Sequence, residues 1–487
     1  MIHILDENMR MFLSLLTLSA CADPGSAGKD ETTPAADSGD PAVETCGYTP
    51  ATDLDPAENV VEVDITASAL AWDPGTGVPL GEGVAYAGQV PGPLIEANAG
   101  DTVVAHFTND LDDPLVVHWH GLRIDDAMDG GMTQMMDPVM PGETFDYVYQ
   151  PPDAGFYWYH PHLEGATHVE RGLYGPMIIH GPDEGTPDCD LPIMLDDILL
   201  DEDTQQVAPP DTDMNQLMGR LGNLLLANAK ADRRIGLTKG QTVLLRLVNP
   251  SNARYWDVHV EGHSMSVVGS DGGWLGEPYD VDHLVIVPGE RYMVVLTANG
   301  EPGEEYRLMN KRFQLHDDHG DMIEYDPMGD GDNPVLTFVY GEDEVVGTPW
   351  VQPPATPPAW TGATETLGHH WQLEEDMMGG TVTIDGEAWP DVPTVKVTGD
   401  IDTTFEVENL SEMHHPFHIH GNNYQVVAIN GVPSTTPPAW KDTWDVPPYS
   451  TVTVVSDLIN PGDWMYHCHI LEHQEDGMMG VMEVMEP

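Results

Sequence analysis

The sequence predicts an all-β protein built from three consecutive copies of one β-sandwich or barrel domain. Three observations point there. Short runs of alternating apolar and polar residues fill most of the chain, punctuated by 49 Gly and 42 Pro. A turn followed by an alternating strand, Gly100–Asn109, recurs as Gly240–Asn249 and more loosely as Gly399–Asn409. A second turn follows each copy, at Pro141-Gly142-Glu143, Pro288-Gly289-Glu290 and Pro447-Pro448-Tyr449, 41, 48 and 48 residues after the first Gly. Repeats at this spacing are duplicated domains, not solenoid units. The length of 487 residues agrees, at roughly 100–200 residues per domain. The expected boundaries are 51–185, 186–347 and 348–487, with the Pro-rich stretch 348–358 as a linker.

The chain has 82 acidic against 17 basic residues, a net charge of −65. Such a surface repels nucleic-acid phosphates and anionic lipid headgroups. Only six of the basic residues are Lys. Composition favours adaptation to high salt; the other reading is a field that gathers metal cations. No apolar run reaches the ~18 residues of a membrane span.

At the amino end, the apolar run Met11–Leu18 precedes Ser19-Ala20-Cys21. This is similar to a lipoprotein signal, residues 1–21, with Cys21 as the lipidated first residue; an ordinary secretory signal cut near Ala22 is the alternative. Asp6 and Glu7 suit a signal poorly, so translation from Met9 is a further option. Residues 22–50 read as an acidic disordered tether. The expectation is an exported monomer, periplasmic or on the outer membrane facing the periplasm or exterior, touching membrane only through the lipid. Of the other cysteines, Cys468 lies between two histidines and looks like a ligand. That leaves Cys46 and Cys189 as a candidate disulfide.

Chemistry concentrates in four segments: His118-Trp119-His120, His160-Pro161-His162, His418-Ile419-His420 and His467-Cys468-His469. In a strand, residues i and i+2 face the same way, so each segment offers two imidazoles from one face. Two segments belong to the first domain and two to the third, so they must converge across a domain interface to share metal. Imidazoles without carboxylates suit copper, not calcium or magnesium. Alternation turns Cys468 to the opposite face, where it can meet His415, His473 and Met478. Two His, one Cys and a weak thioether form the ligand set of a blue electron-transfer copper. The middle copy has Val258-His259-Val260 and Leu308-Met309-Asn310 at the corresponding places, and reads as a copper-free spacer and packing partner.

With these segments and the stretch Ala85–Pro93, the sequence resembles a three-domain, laccase-type multicopper oxidase of the bacterial copper-efflux or spore-coat kind, over about residues 59–485. The resemblance implies cupredoxin-like Greek-key domains, four copper ions, and reduction of dioxygen to water by electrons from a small donor. It implies a type 1 copper on His415, Cys468, His473 and axial Met478, and a type 2 copper on His118 and His418. It implies a type 3 pair, one ion on His120, His160 and His469 and the other on His162, His420 and His467. Asp129 matches a carboxylate that helps deliver protons; its other reading is a turn residue before Gly130-Gly131. Bacterial relatives often place Glu after the second type 1 His. Here Gln474 stands there, with Glu475 or Glu472 as substitutes.

An axial Met implies a lower potential than an apolar residue, favouring easily oxidised donors. Met128, Met132, Met135, Met136 and Met140 crowd one loop, and Met377, Met378, Met413 and Met479 lie near ligand segments. Thioethers favour Cu(I), though Met also serves as packing filler. The resemblance to copper-efflux oxidases suggests Glu412 and Met413 as electron-entry contacts. The cluster His316, Asp317, Asp318, His319 and Asp321 reads first as a solvated acidic loop and second as a cation site. The donor expected is a phenol or aromatic, or a metal ion. A dedicated Cu(I), Mn(II) or Fe(II) oxidase of the envelope is the alternative. Copper sequestration without catalysis is the third reading, disfavoured because storage needs no Cys wired between His ligands.

Overall fold

The computed structural model describes residues 42–131, 136–209, 217–313, 327–329, 331–355, 366–376 and 380–487. The amino-terminal signal with Cys21, most of the tether, Met132, Met135, His316, Asp317, Asp318, His319, Asp321, Met377 and Met378 lie outside the described residues. No helix among the described residues is long and apolar enough to cross a membrane.

Strands form six sheets, paired as three sandwiches. The repeated motif lies at the heart of each. Strands Thr102–Asn109 and Thr403–Asn409 alternate so that one face enters a core, Thr242–Val248 is buried on both faces, and each pairs with a parallel and an antiparallel neighbour. The Asn closing the motif has the same task three times. The amides of Asn109, Asn249 and Asn409 each donate to two backbone carbonyls, one of which precedes the next strand: Asp113 and Val139, Arg254 and Ile286, Met413 and Val446. A buried amide that satisfies two carbonyls fixes the loop leading into the next strand. In the outer domains that next strand bears histidines.

One expectation needs correction. Residues 44–45, placed by sequence in the tether, form a strand parallel to Arg233–Lys239 of the second domain. Cys46 follows and is bonded to Cys189, with Cα atoms 5.8 Å apart. The backbone pairing and the disulfide together fix the chain to the body before residue 50. The second domain packs on both outer ones, its Arg291 bonding Phe156 of the first and Asp442 of the third.

Candidate metal centre

The four histidine segments sit on neighbouring antiparallel strands. In the first domain His118 lies opposite His160, and in the third His418 lies opposite His467. The corresponding pair in the second domain is Val258 opposite Asn310. The outer domains then meet ring on ring. His118 stacks on His420 and His120 on His418, each with centroids 3.9 Å apart. All eight imidazoles are at most 2% exposed.

Backbone and side-chain acceptors set which nitrogen of most of these rings faces inward. Nδ1 donates to the carbonyls of Asp129 from His118 (2.9 Å), Pro161 from His160 (3.0 Å), Asp442 from His418 (2.9 Å) and Cys468 from His467 (2.9 Å). His420 Nδ1 donates to the Asp129 carboxylate at 2.7 Å. Nε2 of His118, His160 and His418, Nδ1 of His120 and both nitrogens of His469 are buried with no partner among the described residues. Nε2 of His467 has only other imidazoles near it, His420 at 3.1 Å and His162 at 3.4 Å. Buried acceptors without donors are costly unless something fills the space between them. Burial first, then the crowding of neighbouring imidazoles, pulls His120, His160, His162, His467 and His469 well below the ordinary histidine range. Neutral rings with inward lone pairs are what a metal requires. The residues fit copper.

One residue away, on the opposite face, Cys468 Sγ lies 3.5 Å from His415 Nδ1 and 3.6 Å from His473 Nδ1. The far nitrogens are fixed: His415 Nε2 donates to Ser411 Oγ (2.8 Å) and His473 Nε2 to the Leu217 carbonyl (2.9 Å). Met478 is fully buried and pinned between two of these residues; its carbonyl accepts from Cys468 N and its N–H donates to His473 O. Burial pulls His473 down to about 4 and pushes the Cys468 thiol up.

The flanking acids divide. Asp129 is 3% exposed and belongs to the cluster. Burial would raise its carboxyl, but the facing His420 and His118 rings outweigh this and hold it below the usual carboxylate range. Gln474, not Glu475, touches the cluster, its amide 3.3 Å from His162 Nδ1. Glu475 instead accepts from Ala166 N at the start of the helix Gly165–Glu170 (2.8 Å), and burial raises it to about 7. Glu472 accepts from Asn252. Met413 is buried, while Glu412 is exposed and accepts from Tyr449. Sequence reasoning missed Ser411, Thr443, Asp442 and Arg291. The latter two are buried charges from different domains, and only the fold brings them together.

Three sandwiches, a buried imidazole cluster on the seam of two of them and a Cys–His set one residue away define a copper-dependent oxidase. The chain belongs to the multicopper oxidases: models of that family match residues 73–184, 194–323 and 356–487. It is 30% identical to multicopper oxidase MmcO of Mycobacterium tuberculosis, covering 95% of this chain and 92% of that one. It is 28% identical to multicopper oxidase mco of Staphylococcus aureus, over 82% and 83% of the two chains. A crystal structure of the multi-copper oxidase of Pediococcus acidilactici superposes with a TM-score of 0.77 at 28% identity, over 92% and 93%. The family holds one type 1 copper, one type 2 copper and a type 3 pair, and couples one-electron oxidations of a donor to reduction of dioxygen to water.

Proposed function

We propose that the donor is a small metal cation such as Cu(I), and that electrons enter beside His415 and leave through Cys468. When bound, the coppers supply one-electron redox chemistry at the Cys468 site and four-electron reduction of dioxygen at the imidazole cluster. On this proposal the ligands divide as the family resemblance implies: His415, Cys468, His473 and Met478; His118 and His418; His120, His160 and His469; His162, His420 and His467. Support comes from the ligand atoms of His162, His420 and His467, which lie within 4.8 Å of one another, as do those of His415, Cys468 and His473. Cys468 is bonded through the backbone to His467 and His469, so the two sites share a covalent path.

The observation behind a cationic donor is Glu375. Both its carboxylate oxygens are buried, with no hydrogen-bond partner among the described residues. Burial, reinforced by nearby Glu412, raises its pKa to about 7. Its charge is also felt at Cys468. Two crowded carboxylates close to a covered redox site favour a cation over a neutral phenol. Protons reach the cluster past Asp129, whose Oδ1 is buried and unpartnered while Oδ2 holds His420. The protein is taken to be an exported, lipid-anchored monomer; the disulfide suits an oxidising compartment.

Steady-state oxidation of Cu(I), Fe(II), Mn(II) and a phenol by wild type, Glu375→Gln and Glu412→Gln tests the donor. Both variants should lose about tenfold or more on metal ions and keep phenol oxidation, since neither residue is a copper ligand. Equal losses on all donors, or none, would overturn the cationic donor.

A further inference from the structure

We propose that Arg291, contributed by the copper-free second domain, is a positioning residue that dictates through Asp442 which nitrogen His120 presents to the trinuclear site. Five histidines of the cluster have Nδ1 engaged by an oxygen and so leave Nε2 for metal. His120 is reversed: its Nε2 lies 3.1 Å from Asp442 Oδ1 and 3.2 Å from Thr443 Oγ, and its Nδ1 is the buried, unpartnered atom. A carboxylate only accepts, so it fixes the proton on Nε2 and clears Nδ1.

Asp442 holds that place because Arg291 clamps it. Arg291 Nη1 donates to Oδ1 at 2.6 Å and Nη2 to Oδ2 at 2.7 Å, a two-pronged pair with both side chains at most 1% exposed. The rest of the guanidinium is tied to other segments: Nε donates to Phe156 O of the first domain (3.1 Å) and Nη2 to Asp271 O of its own (3.0 Å). One planar group thus joins all three domains, with no freedom to swing. The fit leaves no slack, since a Cβ on Gly121 would lie 2.2 Å from Arg291 Nη2. The Asp442 carbonyl also accepts from His418 Nδ1, so one residue sets both rings of a stacked pair and orients their opposite nitrogens inward.

With His120 taken as a copper ligand, as proposed above, the test compares Arg291→Met, Arg291→Lys, Asp442→Asn and His120→Ala after copper loading. Four quantities are read: copper per chain, the blue band of the type 1 site, the near-ultraviolet band of the type 3 pair, and the melting temperature of the copper-free protein. Arg291→Met and Asp442→Asn should keep the blue band and lose trinuclear copper affinity by about 10–100-fold, with Lys between them and wild type. If Arg291→Met does not fold, Arg291→Lys and Asp442→Asn decide. Wild-type copper content and near-ultraviolet band in those variants overturns the inference. So does loss of the blue band in step with the trinuclear bands, because Arg291 would then be only a tie between domains. Full copper retention in His120→Ala would instead overturn the ligand assignment.

Discussion

The side-chain amide of Gln474 lies 3.3 Å from Nδ1 of His162, at the edge of the trinuclear cluster. If His162 gives Nε2 to copper, its proton sits on Nδ1, and the amide must turn its oxygen there. That oxygen otherwise has no partner among the described residues. Gln474 can thus hold His162 in place but cannot release a proton. Gln474→Glu is expected to raise turnover at saturating donor, by about tenfold where proton delivery limits the rate. The kcat–pH profile should gain an alkaline limb as the new acid ionises. An unchanged kcat and profile would place proton entry wholly on the Asp129 side.

Cys468 is fully buried, with His415 and His473 on one face and its backbone bonded to His467 and His469 of the imidazole cluster. Cys468→Ser removes the thiolate without adding volume. The blue band should vanish and donor oxidation should fall to background. The trinuclear histidines do not touch Sγ, so the near-ultraviolet band should survive. Loss of both bands would mean that the mutation unfolds the third domain and says nothing of electron entry.

Much of this site was legible before any coordinates. His-X-His spacing on a strand puts two rings on one face, and duplication supplies the second face. Cys468 between His467 and His469 announces the second site by alternation alone. What was not legible depends on long-range packing. Asp442 and Arg291 are 151 residues apart, and neither stands in a spacing that marks it as functional. Asn109, Asn249 and Asn409 were visible as motif ends, but their two-carbonyl clamp appears only when the loops fold over them. The strand Glu44–Thr45 was unreadable for a different reason: two residues carry no periodicity, and its pairing comes from the second domain.

The Cys46–Cys189 disulfide closes a loop with a sequence separation of 143. Loop-closure entropy for that length corresponds to about 5 kcal/mol at most, and native disulfides in general give about 2–5. The double variant Cys46→Ser, Cys189→Ser should therefore melt several degrees lower while binding copper normally, because neither residue belongs to the histidine cluster or the Cys468 set. A chemical denaturation midpoint identical to wild type would show that the disulfide adds no stability.

His180 holds two carboxylates at the end of the first domain, one of which reaches the second domain. Its Nε2 lies 2.7 Å from Glu96 and its Nδ1 2.8 Å from Glu184, and Glu184 also accepts from Arg246 of the second domain. Burial pulls the His180 pKa down, but the hydrogen bonds from Glu184 and Glu96 outweigh it and push it up to about 9. The folded value lies above the unfolded one of 6.5, so the stabilisation is complete below 6.5 and disappears as pH rises through about 9. Burial opposes but does not overcome the same contacts in Glu184, and both carboxylates are lowered, so their share is lost at the acid end as pH falls. The tie is strongest between the two limits, in mildly acidic solution. The interval from 6.5 to about 9 corresponds to roughly 3 kcal/mol, which the 27% exposure of the His180 side chain reduces to about 1–2 kcal/mol. The stability advantage of copper-free wild type over His180→Gln should shrink by about that much between pH 6 and pH 10. Measuring the copper-free protein removes the metal's own pH dependence. Parallel stability curves for the two proteins across that range would show that His180 is not protonated in the folded state.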